Sequence, residues 1–130
     1  MANELILIVE DDAESRMLEH DILTYHGYRV LEAETAEAGL TLARKARPAL
    51  ILMDIRLPGM DGIAALRELR ADVETRDVPV IAVTASAMNQ DRRQITAAGF
   101  NGYHGKPIDV IELVASIREL LARVPGAAPA

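Results

Sequence analysis

Apolar residues fall along this chain in short uninterrupted runs, separated by longer stretches in which they recur with a helical period. "LILIV" (5–9) reads as a buried strand, and 14–26 as a helix with Leu18, Ile22 and Tyr25 on one face. Gly27 follows, where a helix end favours glycine. "YRVLEA" (28–33) alternates, as an edge strand does, and 35–46 has helical spacing, with Leu40 and Ala43 inward and Pro48 closing the segment. "ALILMD" (49–54) is a third strand. Ile63, Leu66 and Leu69 then mark a short amphipathic helix over 62–71. "VPVIAVTA" (78–85) is a fourth strand, and 87–98 a helix carrying Met88, Ile95 and Ala98. "GYH" (102–104) is a brief fifth strand. Asp109 and Glu112 are spaced as a capping box for a last helix, with Val110, Leu113, Ile117 and Leu120 inward. Five such units predict an α/β fold: a doubly wound parallel sheet covered on both faces, because nearly continuous apolar strands need burial on both sides.

A chain of 130 residues is long enough for one domain with a real core. Half its residues are hydrophobic but only Tyr25, Tyr28, Phe100 and Tyr103 are aromatic, so the core is aliphatic. The net charge of −6 and the absence of any Lys/Arg run longer than two argue against a nucleic-acid partner, which needs clustered basic surface. The absence of cysteine excludes disulfides and thiolate metal sites. No apolar run approaches the roughly 20 residues of a membrane span, and no leader opens the chain, so a cytoplasmic location is expected. "VPGAAPA" (124–130) reads as a loose end.

In doubly wound folds, ligands bind beyond the carboxyl ends of the strands. Strand one ends in Glu10, Asp11 and Asp12, strand three in Asp54, strand four in Thr84, and strand five just before Lys106. Strand two delivers nothing comparable and is expected at the sheet edge. Carboxylates gathered there repel: two unit charges ~4 Å apart interact by about 4 kcal/mol at an effective dielectric near 20. A hard divalent cation relieves that repulsion, and an oxygen-only ligand set favours Mg²⁺. With Thr84 and Lys106 to meet phosphoryl oxygens, Asp54 is equipped as a nucleophile that forms an acyl phosphate. Asp12 reads partly as helix N-terminal charge, Asp61 as a helix cap within the "PGMDG" turn, and His20, His26 and His104 as local structural groups.

The motifs "ILIVEDD", "LILMDIRLPGMDG", "VPVIAVTA" and "GYHGKP", in this order and at these separations, resemble the receiver domain of two-component response regulators. The likeness runs from residue 4 to about 123 and is nearest to stand-alone DivK-like and CheY-like members. It implies a flavodoxin-like (βα)5 sheet in the order 2-1-3-4-5, with residues 1–124 as the receiver domain and 125–130 as a flexible tail. It further implies that Asp54 takes a phosphoryl group from a phosphohistidine, with Lys106 binding that group. Glu10, Asp11, Asp54 and the backbone carbonyl of Arg56 would hold Mg²⁺, Thr84 and Tyr103 would be the switch pair, and the Lys106–Pro107 peptide would be cis. Arg56 and Ser86, each two residues past a site residue, are expected to tune hydrolysis of the acyl phosphate. One departure is Gly105, where family members more often carry Ser, Thr or a larger residue.

The resemblance implies a single-domain signalling protein rather than an enzyme. A sensor histidine kinase or histidine phosphotransfer protein would be the donor, and a downstream protein the target. No nucleic acid or membrane partner is expected, and the chain would be a monomer or weak dimer. Output would run through helix four, strand five and helix five. A phosphate sink or phosphorelay intermediate is the alternative within the family. Two other classes are weighed. A haloacid-dehalogenase-type phosphatase also uses a strand-end Asp, but needs a second carboxylate two residues on, where this chain has Arg56. A flavodoxin needs a Ser/Thr/Gly-rich phosphate loop after strand one, where this chain has three acids.

Overall fold

Residues 3–85 and 89–123 are described by a computed structural model, the side chains of 89–91 excepted. Five strands alternate with five helices: β1 (Leu5–Val9), α1 (Ala13–Tyr25), β2 (Arg29–Ala33), α2 (Ala36–Ala46), β3 (Leu50–Asp54), α3 (Gly62–Ala71), β4 (Val80–Thr84), α4 (Asn89–Ala98), β5 (Gly102–Gly105) and α5 (Val110–Arg123). All strand pairs are parallel, in the order β2-β1-β3-β4-β5. The doubly wound sheet expected from the sequence is therefore present, with β2 at one edge. The expected positions Ser86 and Met88, and the tail at 125–130, lie outside the described residues.

The continuous apolar runs became the three central strands for the reason that predicted them. Strand residues alternate between two cores. Leu7, Val9, Ile51, Met53, Val80 and Ala82 face a layer containing Leu40, Leu66, Leu69 and Ile95, from α2, α3 and α4. Ile6, Ile8, Leu50, Leu52, Ile81 and Val83 face Leu23, Leu113, Ile117 and Leu121, from α1 and α5. The edge strands β2 and β5 are only partly buried.

The inward face of α1 differs from the expected one. Leu18 and Tyr25 are exposed, at 45% and 85%, whereas Glu19, Ile22 and Leu23 are buried. The inward stripe runs 16-19-22-23 and begins with two polar residues, so an apolar count settles on the wrong phase of the helix. In α5 the expected Val110 is exposed and Leu120 half-buried, while Val114 and Leu121 are buried beside Leu113 and Ile117. Ile63 on α3 is likewise half-buried, and Leu66 and Leu69 carry the contact.

Local signals behave as their chemistry dictates. Asp12, Thr35 and Asp61 cap α1, α2 and α3 by accepting from the N–H groups of Ser15, Ala38 and Ala64. Asp109 accepts from Glu112 N at 3.1 Å at the start of α5. Gly27 takes φ 90° directly after α1, and its N–H bonds to Thr24 O at 3.0 Å. The α2 terminus uses a non-glycine residue instead, Arg47 at φ 48°.

Candidate functional site

The carboxyl edge of the sheet places the chemistry. β1 runs into Glu10 and Asp11, and β3 ends in Asp54 on the neighbouring strand. One oxygen from each of Glu10, Asp11 and Asp54 can lie within 4.8 Å of the others. Glu10 and Asp54 are buried, at 1% and 6% exposure, and Asp11 faces solvent. Asp12 is turned away to cap α1, its Oδ2 accepting from Ser15 N at 2.9 Å, which holds its carboxyl below the usual range. The acidic triplet thus divides, with two residues at the cluster and one in the helix cap.

Asp54 is fixed by its own backbone neighbourhood. Its Oδ1 accepts from Arg56 N at 3.1 Å, so the chain folds back over the carboxylate at once. Gly62 is required behind it: a Cβ there would stand 2.4 Å from the Asp54 carbonyl oxygen. The Gly62 N–H donates to Ile55 O at 2.9 Å, seating the start of α3 against the end of β3. The "PGMDG" segment therefore docks a helix against the strand end that carries the aspartate.

Lys106 supplies the counter-charge. Its Nζ lies 2.7 Å from Glu10 Oε1 and 3.3 Å from Asp54 Oδ2. The approach to Glu10 is short but off the line of a hydrogen bond, leaving that oxygen under-satisfied. Burial lowers the Lys106 pKa, but the close Glu10 and Asp54 carboxyls outweigh it and raise the group above its ordinary value. Glu10 is pushed up to about 7, first by burial and then by Asp54. Lys106 N–H bonds to Thr84 O at 2.9 Å, tying the lysine to the end of β4, and the Lys106–Pro107 peptide is cis. A cleft of about 310 Å³ lined by Asp12, Ser15, Leu18, Lys106 and Ile108 opens beside the lysine.

Thr84 is fully buried at the end of β4, its Cα paired with that of Gly105. Tyr103 stands two residues earlier on β5, so Thr84 and Tyr103 share the sheet face of α2, α3 and α4. The Arg92 guanidinium of α4 lies 5.3 Å from the Tyr103 ring centroid. At Gly105 an added Cβ would meet no atom within 4 Å, so the missing side chain leaves open space.

Two residues of α1 enter the site without having been singled out from the sequence. Arg16 Nη1 donates to the carbonyls of Glu10 and Asp11 at 2.9 and 3.5 Å, clamping the acidic turn from behind. Glu19, three residues on, is 1% exposed and faces Glu10. The only signal available was helical spacing inward from Ile22 and Leu23. The three histidines serve locally, as expected: His20 pairs with Glu32 at 3.1 Å, His26 packs edge-on to Tyr25, and His104 bonds Ser116 Oγ at 2.8 Å.

The donor set fits a hard cation. It is all carboxylate oxygen, it is crowded, and it holds a buried glutamate whose protonation is favoured by burial and by the neighbouring Asp54. Among the described residues, no helix is long and apolar enough to cross a membrane.

Comparison with known proteins places this geometry. A family model described as the response regulator receiver domain matches residues 6–118. The polar-differentiation response regulator DivK of Brucella anthropi is 40% identical over 116 residues, covering 89% of this chain and 94% of the relative. The Brucella ovis DivK is 39% identical over the same length. Among solved structures, the receiver domain of a Pseudomonas aeruginosa sensor histidine kinase is 38% identical. It has a TM-score of 0.82, covers 94% of this chain and 97% of its own, and has a magnesium ion coordinated in its active-site cleft. A response regulator from Chloroflexus aurantiacus, 30% identical, superposes with a TM-score of 0.89 over 93% of this chain and 99% of its own.

Proposed function

The chain belongs to the response regulator receiver domain family of two-component signalling, and from that premise we propose that Asp54 is its phosphoacceptor. The observation that carries this reading is the pairing of Lys106 with both Glu10 and Asp54 over one acidic cluster. An Asp54 carboxylate oxygen attacks the phosphorus of a phosphohistidine. The P–O bond forms as the P–N bond breaks, and the imidazole nitrogen leaves. Lys106, already beside Asp54, neutralises charge on the incoming phosphoryl oxygens, and the Thr84 hydroxyl donates to one of them. Glu10, Asp11, Asp54 and the Arg56 carbonyl would hold Mg²⁺, which supplies charge neutralisation and geometry to the transferring group.

The output of such a module is a change of binding partner rather than a released product. The phosphoryl donor is a histidine kinase or phosphotransfer protein. The modified domain then docks a downstream protein in the cytoplasm. Gly105 leaves the surface next to Lys106 unusually open.

The test is labelling by a small phosphodonor such as phosphoramidate, with and without chelator. Parent protein gains one phosphoryl group in Mg²⁺, and Asp54→Asn gains none. Undiminished labelling of that variant would sink the assignment.

A further inference from the structure

The register of β1 with both of its neighbours ends at Val9, so the carbonyl of Glu10 points past the sheet with no ladder partner. The Glu10 N–H donates to Ala33 O at 2.9 Å, and the residue is 1% exposed, so its carbonyl also needs a partner from the protein. Arg16 supplies that donor. From the first turn of α1 its Nη1 reaches back to Glu10 O at 2.9 Å, a charge-assisted bond. The same nitrogen lies 3.5 Å from Asp11 O, too far to hold much. The other arm, Nη2, stands 3.6 Å from Glu34 Oε1 on the β2–α2 connection, but the Glu34 side chain is 72% exposed, and such surface pairs contribute little. Charge alone does not account for the arginine, because a cation beside a set of metal ligands opposes the metal.

We propose that Arg16 is a positioning residue for the cation site, acting through the backbone of the acidic turn. The peptide that joins Glu10 to Asp11 is planar, so anchoring its carbonyl fixes the plane. The plane in turn sets the directions in which both side chains leave the chain. Asp12 N–H completes the turn by donating to Glu10 Oε2 at 3.3 Å. Glu10 is thereby held at its N–H, its carbonyl and its carboxylate. Without the guanidinium, the Glu10–Asp11 peptide is free to rotate. The two carboxylates then lose the common aim that lets their oxygens gather within 4.8 Å of each other and of Asp54. The proposal rests on reading Glu10, Asp11 and Asp54 as the cation ligands.

The experiment is direct titration of Mg²⁺ into the full chain by calorimetry, with thermal melts in chelator to establish that each sample is folded. Arg16→Met keeps the stem and the helix propensity but has no donor, and it weakens binding about tenfold, the low end for lost support behind a metal ligand. Loss of a positive charge alone would tighten binding, so the sign of the change separates the anchor from the charge. Arg16→Lys keeps a donor for the Glu10 carbonyl and binds within about threefold of the parent. Glu34→Gln, which removes only the surface pair, binds like the parent. Arg16→Leu serves if the methionine variant does not fold. Parent-like or tighter binding in the donor-free variant overturns the anchor, as does equal weakening in the Lys and Met variants. Weakening by Glu34→Gln as large as that by Arg16→Met places the effect in the ion pair and overturns it too. Asp11→Ala runs alongside. If that variant also binds like the parent, the ligand assignment falls and the role of Arg16 falls with it; if Arg16→Met alone does so, only the role of Arg16 falls.

Discussion

Lys106 reaches from the end of β5 to within 2.7 Å of Glu10 at the end of β1, crossing the sheet edge over Asp54. One ammonium thus bridges carboxylates from two other strands. Because Glu10 and Asp54 are buried, the lysine offsets a repulsion that water would otherwise screen.

Removing that ammonium leaves two buried carboxyls with no cation. In chelator, Lys106→Met lowers stability by roughly 3 kcal/mol, the low end for breaking a buried pair because Lys106 keeps some contact with water. Saturating Mg²⁺ returns much of the loss by occupying the same charge deficit. Urea melts with and without Mg²⁺ measure both effects. A variant as stable as the parent in chelator shows that the ion pair contributes nothing.

Asp11 and Asp12 are adjacent acids with different work. Asp11 joins the cluster from its solvent side, and Asp12 closes the first turn of α1. Asp11→Ala weakens Mg²⁺ binding more than tenfold and barely moves the melting temperature. Asp12→Ala costs about 1 kcal/mol of stability, as a lost cap does, with little change in metal affinity. The reverse order in a metal titration would put the acidic triplet out of register by one residue.

The division between what was readable beforehand and what was not follows from the physics of each position. Asp54 and Thr84 stood at the ends of apolar runs and Lys106 just past the brief fifth strand, so their shared sheet edge followed from strand polarity alone. Asp61 and Asp12 were readable because a cap is a local interaction. Arg16 and Glu19 escaped notice because polar residues on a helix normally face water, and only the site makes their burial tolerable. The same two residues shifted the apparent face of α1, hence the misplaced Leu18 and Tyr25. Arg47 gave no warning either, since a left-handed helix end usually announces itself with glycine.

The buried glutamates set a pH dependence in the metal-free protein. Folding raises Glu10 to about 7 and Glu19 to about 8, from an ordinary 4.5. Between those values the folded state holds protons that the unfolded chain has released, so stability falls as pH rises through the window. His104, held below 6.5 by burial, gives the opposite slope, but only beneath its ordinary value. From pH 6.5 to 8.5 in chelator, the melting temperature of the parent therefore declines. Glu10→Gln combined with Glu19→Gln flattens that decline. Melts of the two proteins across this range decide the matter, and parallel slopes would mean the carboxyls titrate normally.

Tyr103 is the partner of Thr84 in the switch that the resemblance implies. It shares a sheet face with Thr84 and sits beneath the Arg92 guanidinium at 5.3 Å. In the proposed switch, a phosphoryl oxygen on Asp54 would draw the Thr84 hydroxyl inward, and the ring would follow into the space opened behind β4. Arg92 opposes this by holding the ring face, an interaction worth about 0.5–1 kcal/mol at an exposed site. That is enough to change a two-state population by a factor of roughly 2 to 5. Ring resonances of Tyr103, followed by NMR, should therefore move when beryllofluoride and Mg²⁺ load the site. Arg92→Ala should move the unloaded protein partway along the same line. If the ring resonances stay still on loading, Tyr103 is a fixed core aromatic. If loading moves them but Arg92→Ala does not, the ring switches without the arginine as its latch.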